Sequence, residues 1–311
     1  MGWNSEPGRR RLNSLPLRPR TRFAPSPTGY LHLGHVANAI HVWGIARSLG
    51  GQVLLRLEDH DRGRCRAEYE EAILDDLQWL GLEPDIGSAG ELRGGESGYR
   101  QSDNSGRYEA ALEHLRTSSQ VYACDCSRKD IAGDLDLPDQ ETRYSGRCRG
   151  RGLAPGPGLG LRVALEAGTE QFTDGILGAQ QQAPFEQCGD LLLRDRLGNW
   201  TYQFAVTVDD LEHNIDLVIR GQDLLASTGR QIRLGRMLGR SDPPAFLHHP
   251  LIRHGSGVKL SKANRDTGVR DLRAEGIAPE WVLGQAARLT GLTESFREIQ
   301  VQELAGLFDL R

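Results

Sequence analysis

No stretch of the 311 residues approaches the roughly 18 consecutive apolar side chains that a bilayer-spanning helix needs, and no signal-peptide core follows Met1. A membrane partner is therefore not expected. Cysteines number only five, an odd count in a chain of this length, which argues against a disulfide scaffold and points to a reducing compartment, the cytoplasm. Charge of one sign is not in large excess. The 38 Lys and Arg against 42 Asp and Glu leave a net −4 and a pI near 6.2, so any RNA contact has to be a local patch. Glycine (38) and proline (14) stay below the level of low-complexity sequence. Internal repeats, a Walker loop, a GxGxxG turn and a Ser-His-Asp or Cys-His arrangement are all missing. What is left is a 34.4 kDa chain with 38% apolar residues, enough for one large or two ordinary domains with a real core.

Residues 1–20 hold five arginines (Arg9, Arg10, Arg11, Arg18, Arg20), one acid and three prolines. They read as a disordered basic tail; a transit peptide and a phosphate-gripping arm stay open. Order begins at Thr21. Thr21–Ala24 reads as a strand broken by Pro25-Ser26-Pro27-Thr28-Gly29, and from about His35 the apolar positions Val36, Ala39, Ile40, Trp43 and Ala46 follow helical spacing. Gly50-Gly51 ends that helix and Val53–Leu57 is a second strand, which together make a parallel βαβ unit. A second helix is expected over about Ala67–Leu80, with Tyr69, Ile73, Leu77 and Leu80 on one face. Gly87–Gly98 reads as a surface loop and Arg149–Gly160 as a linker, with a cysteine-bearing segment between them. Strand-like runs return at Leu191–Arg194, Phe204–Val208 and Leu217–Ile219, and about Asp271–Leu310 looks helical. The pattern is α/β, a doubly wound parallel sheet with an insertion.

Two segments carry the chemistry. His32-Leu33-Gly34-His35 stands at the start of the first helix, where unpaired N–H groups and the positive dipole end favour anions; the histidines add donors, and Gly34 lets a ligand come close to the backbone. Alone, such histidines are more often structural caps. Far along the chain, Lys259-Leu260-Ser261-Lys262 lies in a polar stretch (HGSGVKLSKAN) whose two lysines could reach over a triphosphate, though alone it reads as a solvated loop. The pair is far more specific than either half.

Taken together, the sequence resembles class I aminoacyl-tRNA synthetases, with HLGH and KLSKA in the roles of the HIGH and KMSKS signatures. The glutamyl branch is the nearest, on RFAPSPTGYLHLGH (22–35), LLRLEDHD (54–61), YRQS (99–102), YQFAVTVDD (202–210) and VIRGQDLLASTGRQI (218–232). The resemblance implies a Rossmann-type, HUP-like catalytic domain in which a substrate carboxylate attacks the α-phosphorus of ATP, giving aminoacyl-adenylate and pyrophosphate. It casts His32, His35, Lys259 and Lys262 as catalytic, and Pro25, Gly34, His32, His35 and Lys262 as ATP-binding, with Mg²⁺ on the phosphates. Such catalysis needs positioning and donors where charge builds. Ala263 stands where the family has serine or another polar residue.

A glutamate pocket needs a cation for the side-chain carboxylate, for which an arginine fork is suited, and an acceptor for the α-ammonium. Resemblance points to Arg22, Phe23, Ala24, Pro25, Ser26, Glu58, Tyr202 and Arg220, although any one of these charges alone could merely cap a strand end. Cys124-Asp125-Cys126 is followed by Tyr144 and Cys148. Three thiolates leave a tetrahedral zinc site short of one ligand, and a CxC alone can be coincidence. The glutamyl-type relatives hold zinc with CxC…YxxxC, so the resemblance implies one structural Zn²⁺ on Cys124, Cys126, Tyr144 and Cys148. Cys65 and Cys188 have no partner at ligand spacing.

The implied organisation is a basic tail (1–20), a first half of the catalytic domain (21–115), an inserted zinc-binding subdomain (116–170), a second half with the KLSK loop (171–262) and a helical C-terminal segment (263–311). The 49 residues after Lys262 leave no room for an anticodon-binding domain. The expectation is therefore the short subfamily that activates L-glutamate without tRNA and transfers it to queuosine at the wobble position of tRNA(Asp), acting as a monomer on the anticodon loop. A shortened true glutamyl-tRNA synthetase and a catalytically silent tRNA-binding paralogue are the alternatives.

Overall fold

The computed structural model describes residues 15–132, 143–252 and 268–308. Its described strands are β1 (Arg20–Phe23), β2 (Gln52–Leu55), β3 (Val121–Cys124), β4 (Gly160–Val163), β5 (Glu170–Asp174), β6 (Gly178–Gln182), β7 (Leu191–Arg194), β8 (Leu217–Gly221) and β9 (Ala245–His249). β1 and β2 are parallel, with Thr21, Arg22 and Phe23 opposite Val53, Leu54 and Leu55. The helix Leu33–Ser48 connects them, and Leu49 and Gly50 end it, Gly50 at φ +68°, a left-handed conformation that favours glycine. This is the expected βαβ unit. A second sheet runs in the order β6-β5-β9-β8, parallel except at its β6 edge. The two sheets meet between β1 and β8, where Asp216 N–H donates to the Arg20 carbonyl at 3.1 Å and Arg20 N–H to Asp216 Oδ1 at 2.7 Å.

The Leu33–Ser48 helix is buried on nearly every side, from Val36 to Ala46 with the single exception of Asn38, as befits a helix enclosed between a sheet and a further layer. That further layer comes from the C-terminal stretch. There the structure forms two helices, Val269–Ala274 and Pro279–Leu289, and a 3-10 turn, Val301–Leu307, so the stretch expected to be helical is helical in pieces joined by irregular chain. Gly44 admits this layer: a Cβ there would stand 2.2 Å from Phe308 Cε2. Burying side chains such as Ile40, Val42 and Ile45 is worth roughly 1.5–3 kcal/mol each.

β3, β4 and β7 form a separate antiparallel sheet, its third strand lying beyond residue 170. It packs with Tyr108, Leu112 and Leu115 of the helix Ser105–Ser118 and with Phe204, Ala205 and Val208.

Three expectations are corrected. Order does not wait for Thr21: Leu15 is buried, and Arg20 opens β1 opposite Gln52. Phe204–Val208 is not a strand but the interior of a helix, Tyr202–Glu212. Residues 204–210 are all buried, so neither the helical nor the strand period is visible in their hydrophobicity, and the β-branched residues misdirect. Gly87–Gly98 is not only surface loop. Ser88 caps a short helix, Ala89–Arg93, accepting from Glu91 N–H at 3.2 Å, and Leu92 is buried beneath it.

The predicted second helix, Ala67–Trp79, carries an oddity on its buried face. Asp76 is fully buried, neither carboxylate oxygen accepts a hydrogen bond, and Arg273 Nη1 stands 3.5 Å away. Burial pushes its carboxyl up to about 6 despite Arg273. The folded chain therefore holds a proton here more readily than the unfolded one, whose pKa is near 3.9. The stability present below about pH 4 is lost as pH rises through 6, a difference of up to about 3 kcal/mol. Asp76→Asn is expected to gain up to about that much at pH 7.5 and almost nothing at pH 4, measured by urea unfolding at both pH values. An equal gain at both would refute the assignment.

Candidate active site

The C-terminal ends of β1, β8 and β9 open into one cleft of about 510 Å³. Ligands in open α/β sheets bind at such ends. Of the residues singled out from sequence, Phe23, Ala24, Pro25, Ser26, His32, Gly34, His35, Glu58, Tyr202 and Arg220 all line it. Lys259 and Lys262 lie outside the described residues. The chain on either side of them does reach the cleft: Ile252 is part of its wall, and Gly268 pairs with His32 while Val269 N–H donates to the Leu31 carbonyl at 2.8 Å.

The HLGH turn is built as a reciprocal cap. Gly34 N–H donates to His32 Nδ1 at 3.0 Å, and His32 N–H donates to His35 Nδ1 at 3.1 Å. Both Nδ1 atoms therefore accept, so each neutral ring carries its proton on Nε2. The ring centroids lie 3.9 Å apart. The turn thus sets two imidazole N–H donors at the wall of the cleft beside a helix N-terminus. The glycine serves this cap: a Cβ on Gly34 would sit 2.8 Å from His32 Cε1, so the His32 ring, rather than a ligand, takes the space.

Beneath the cleft the charges are buried and ordered. Arg22 does not line it. Its Nε donates to Asp210 Oδ1 at 3.1 Å and Oδ2 at 3.2 Å. Arg56, 1% exposed, donates from Nη1 to Asp210 at 2.8 Å and from Nη2 to Glu58 Oε1 at 2.9 Å. Burial would raise the Asp210 carboxyl, but Arg22 and Arg56 hold it below its usual range. Asp209, 3.8 Å from Arg56 Nε, is also held by Arg107 at 2.7 Å, Gln101 at 2.8 Å and the Tyr108 hydroxyl at 3.0 Å.

Arg220 is treated differently. It is 3% exposed, yet its hydrogen bonds go to neutral acceptors: Nε to His248 Nε2 (3.0 Å), Nη1 to Gln231 Oε1 (2.7 Å), Nη2 to Thr228 Oγ1 (2.9 Å). Among the described residues it makes no ion pair. Burial pulls its pKa down, the mark of a cation whose charge is poorly compensated. Burial likewise raises the pKa of the Tyr202 phenol beside it. Arg22 and Arg56 thus meet carboxylates directly (Asp210, Glu58 and, at 3.8 Å, Asp209), whereas Arg220 meets none directly among the described residues.

Arg56, Asp210, Thr228, Gln231 and His248 were not singled out from sequence. Arg56 had a signal: it lies two residues before Glu58, and the period of a strand places both on one face. Asp210 closes the YQFAVTVDD motif, but its contacts with Arg22 and Arg56 are tertiary and leave no local signal. Thr228 and Gln231, three apart, share a helix face that is recognisable only once Thr228–Met237 is known to be helical.

A second cluster gathers Cys124, Cys126 and Cys148, whose sulfurs all lie within 4.8 Å of one another, with Tyr144. Tyr144 Oη is 3.5 Å from Cys124 Sγ and accepts from Cys148 N–H at 2.9 Å. Tetrahedral zinc with Zn–S near 2.3 Å needs sulfurs about 3.8 Å apart; Cys126 and Cys148 Sγ stand at 3.5 Å, so small shifts satisfy it. Arg162 lies 3.7 Å over the Tyr144 ring and donates to Cys124 Sγ at 3.3 Å. Burial opposes the Cys124 thiolate, but Tyr144 and Arg162 bring its pKa below the ordinary value, while burial and the neighbouring thiols push Cys126 up to about 11. The donor set is consistent with a zinc site. No helix of the described residues is long and apolar enough to cross a membrane.

The family described as "tRNA synthetases class I (E and Q), catalytic domain" matches residues 19–309. Glutamyl-Q tRNA(Asp) synthetase of Nitratidesulfovibrio vulgaris is 38% identical over 304 residues, covering 93% of this chain and 91% of that protein. The protein of the same name from Symbiobacterium thermophilum is 39% identical, covering 93% and 92%. Glutamate–tRNA ligase 2 of Syntrophus aciditrophicus is 37% identical, but the match spans 62% of it. A crystal structure of a glutamate tRNA ligase from Elizabethkingia meningosepticum, in complex with its amino acid, superposes with a TM-score of 0.76 at 28% identity; the chain spans 65% of its length.

Proposed function

Because the chain belongs to the class I glutamyl and glutaminyl tRNA synthetase catalytic-domain family, a family of ligases, we propose that it activates L-glutamate with ATP without needing tRNA and passes the glutamyl group to queuosine in the anticodon loop of tRNA(Asp). The observation that carries the glutamate reading is the buried Arg220 without a carboxylate partner, in a cleft walled also by Glu58 and the two histidines. The queuosine reading is supported by the two relatives of that name, which match this chain over nine-tenths of both lengths.

In this reading the glutamate side-chain carboxylate meets Arg220, with Arg22 behind it, and the α-ammonium faces Glu58. The α-carboxylate is left to attack the α-phosphorus of ATP. His32 and His35 donate from Nε2 to phosphate oxygens as charge builds there, and Lys259 and Lys262 close from the other side. Mg²⁺, as part of the ATP substrate, neutralises phosphate charge. Lys259 and Lys262 are two of the chain's three lysines, against 38 basic side chains in all. A compact ammonium suits a point contact with phosphate, where a guanidinium fork suits a planar, bidentate one. Arginines at the surface would grip the RNA backbone locally, and we expect a monomer.

Cys124, Cys126, Cys148 and Tyr144 would hold one structural zinc ion, stapling an insertion with little core of its own. Elemental analysis of the purified protein should return about one zinc per chain. Cys148→Ser should lose it and lower the melting temperature; retained zinc would remove Cys148 from the ligand set.

The deciding experiment supplies labelled glutamate, ATP and tRNA from cells with and without queuosine, then maps the label. Label on the anticodon loop of queuosine-bearing tRNA alone supports the proposal. Label on the terminal ribose would identify a glutamate–tRNA ligase instead.

A further inference from the structure

We propose that Asp174 and His248 act as a positioning pair that aims Arg220 while leaving its charge unspent, and that this pair sets the preference of the pocket for a carboxylate side chain. The inference rests on Arg220 being the glutamate contact.

The three residues sit on adjacent strands, β5, β9 and β8, with Arg220 directly opposite His248 in the register. Asp174 and His248 are both 0% exposed. Asp174 Oδ2 accepts from the His248 backbone N–H at 3.1 Å and lies 2.6 Å from His248 Nδ1. On the far side of the ring, Arg220 Nε lies 3.0 Å from Nε2, and the Thr228 hydroxyl 3.2 Å. An arginine N–H can only donate, so Nε2 accepts. The ring proton is then on Nδ1, facing the carboxylate. Burial keeps the imidazole neutral by lowering its pKa, which preserves Nε2 as an acceptor.

The contrast with Arg22 and Arg56 explains the device. Those two are held by carboxylates in direct contact, which orient them and also cancel their charge. A carboxylate placed directly on Arg220 would compete with the substrate for the same fork. Interposing a neutral imidazole moves the carboxylate a full ring farther away. The guanidinium keeps three fixed hydrogen bonds and its net attraction for an incoming anion. A histidine without Asp174 could place its proton on Nε2, turning the contact into two opposed donors.

ATP–pyrophosphate exchange by the full chain, with glutamate and with glutamine, tests this in the wild type, Asp174→Asn, His248→Gln and His248→Leu. Asp174 also accepts from Ile176 and Leu177 N–H (2.9 and 2.8 Å), so its variant alone could report on folding, and melting temperatures accompany the kinetics. Asp174→Asn and His248→Leu should raise the glutamate KM about 10- to 100-fold, leave the ATP KM within about twofold and weaken discrimination against glutamine. His248→Gln keeps an acceptor near the Nε2 position and should recover much of the loss. Glutamate and ATP KM rising together, or melting temperature falling with the glutamate KM unchanged, would overturn the pair. So would an imidazole ¹⁵N spectrum with the His248 proton on Nε2, a result that holds whichever amino acid the enzyme uses. Wild-type protein inactive with glutamate would instead overturn the proposed function.

Discussion

Arg220→Ala raises the glutamate KM of ATP–pyrophosphate exchange by roughly 30-fold or more, the ATP KM staying nearly unchanged. The reason lies in the charge ledger of the cleft. Arg22 and Arg56 are matched by Asp210 and Glu58, whereas Arg220 is buried among His248, Gln231 and Thr228, none of which is anionic. Burying an uncompensated guanidinium costs folding free energy, and an incoming carboxylate offsets that cost on binding. With alanine in its place the substrate carboxylate is desolvated without a partner, so truncation costs on the order of 2–5 kcal/mol. The same substitution should bring glutamine closer to glutamate as a substrate, since the neutral amide never gained from the charge. Steady-state exchange kinetics with both amino acids give the answer, and an unaltered glutamate KM would remove Arg220 from the pocket.

Lys262→Ala should act on rate instead, lowering kcat for adenylate formation by about 10²–10³ with little change in glutamate KM. Charge accumulates on the phosphoryl oxygens chiefly in the transition state, so a cation directed there stabilises that state more than the bound substrates. Lys262 lies six residues before Gly268, which pairs with His32 at the cleft wall. Single-turnover adenylate formation with purified variant and wild type is the measurement. A kcat equal to that of the wild type would exclude Lys262 from the chemistry.

Much of the candidate site was legible from sequence because its residues sit in local motifs. Pro25 and Ser26 break a strand, His32, Gly34 and His35 cap a helix, and Glu58 follows a strand. Each is a short-range feature whose geometry depends on neighbours within a few positions. The thiol cluster was legible for the same reason on one side only. Cys124 and Cys126 are neighbours, but their approach to Cys148 and Tyr144 is the work of tertiary folding. Where every residue of a segment is buried, the sequence loses its period, and Phe204–Val208 was misread on that account. Asp210, the carboxylate that orders Arg22 and Arg56, lies two residues past that run, and its role comes from contacts distant in sequence.

What the sequence by itself determined is the inventory and the family: strand, proline turn and capped helix at the start, paired lysines near the end, and arginines and a glutamate at strand ends. Only the tertiary structure decided how those charges are shared. Arg22 was expected to line the pocket and is instead tied to Asp210 beneath it, while Arg220 is held by neutral groups from β9 and the helix Thr228–Met237. Composition counts charges but carries no distances. Coulomb energy depends on distance and on burial, and both come from contacts between residues far apart in the chain.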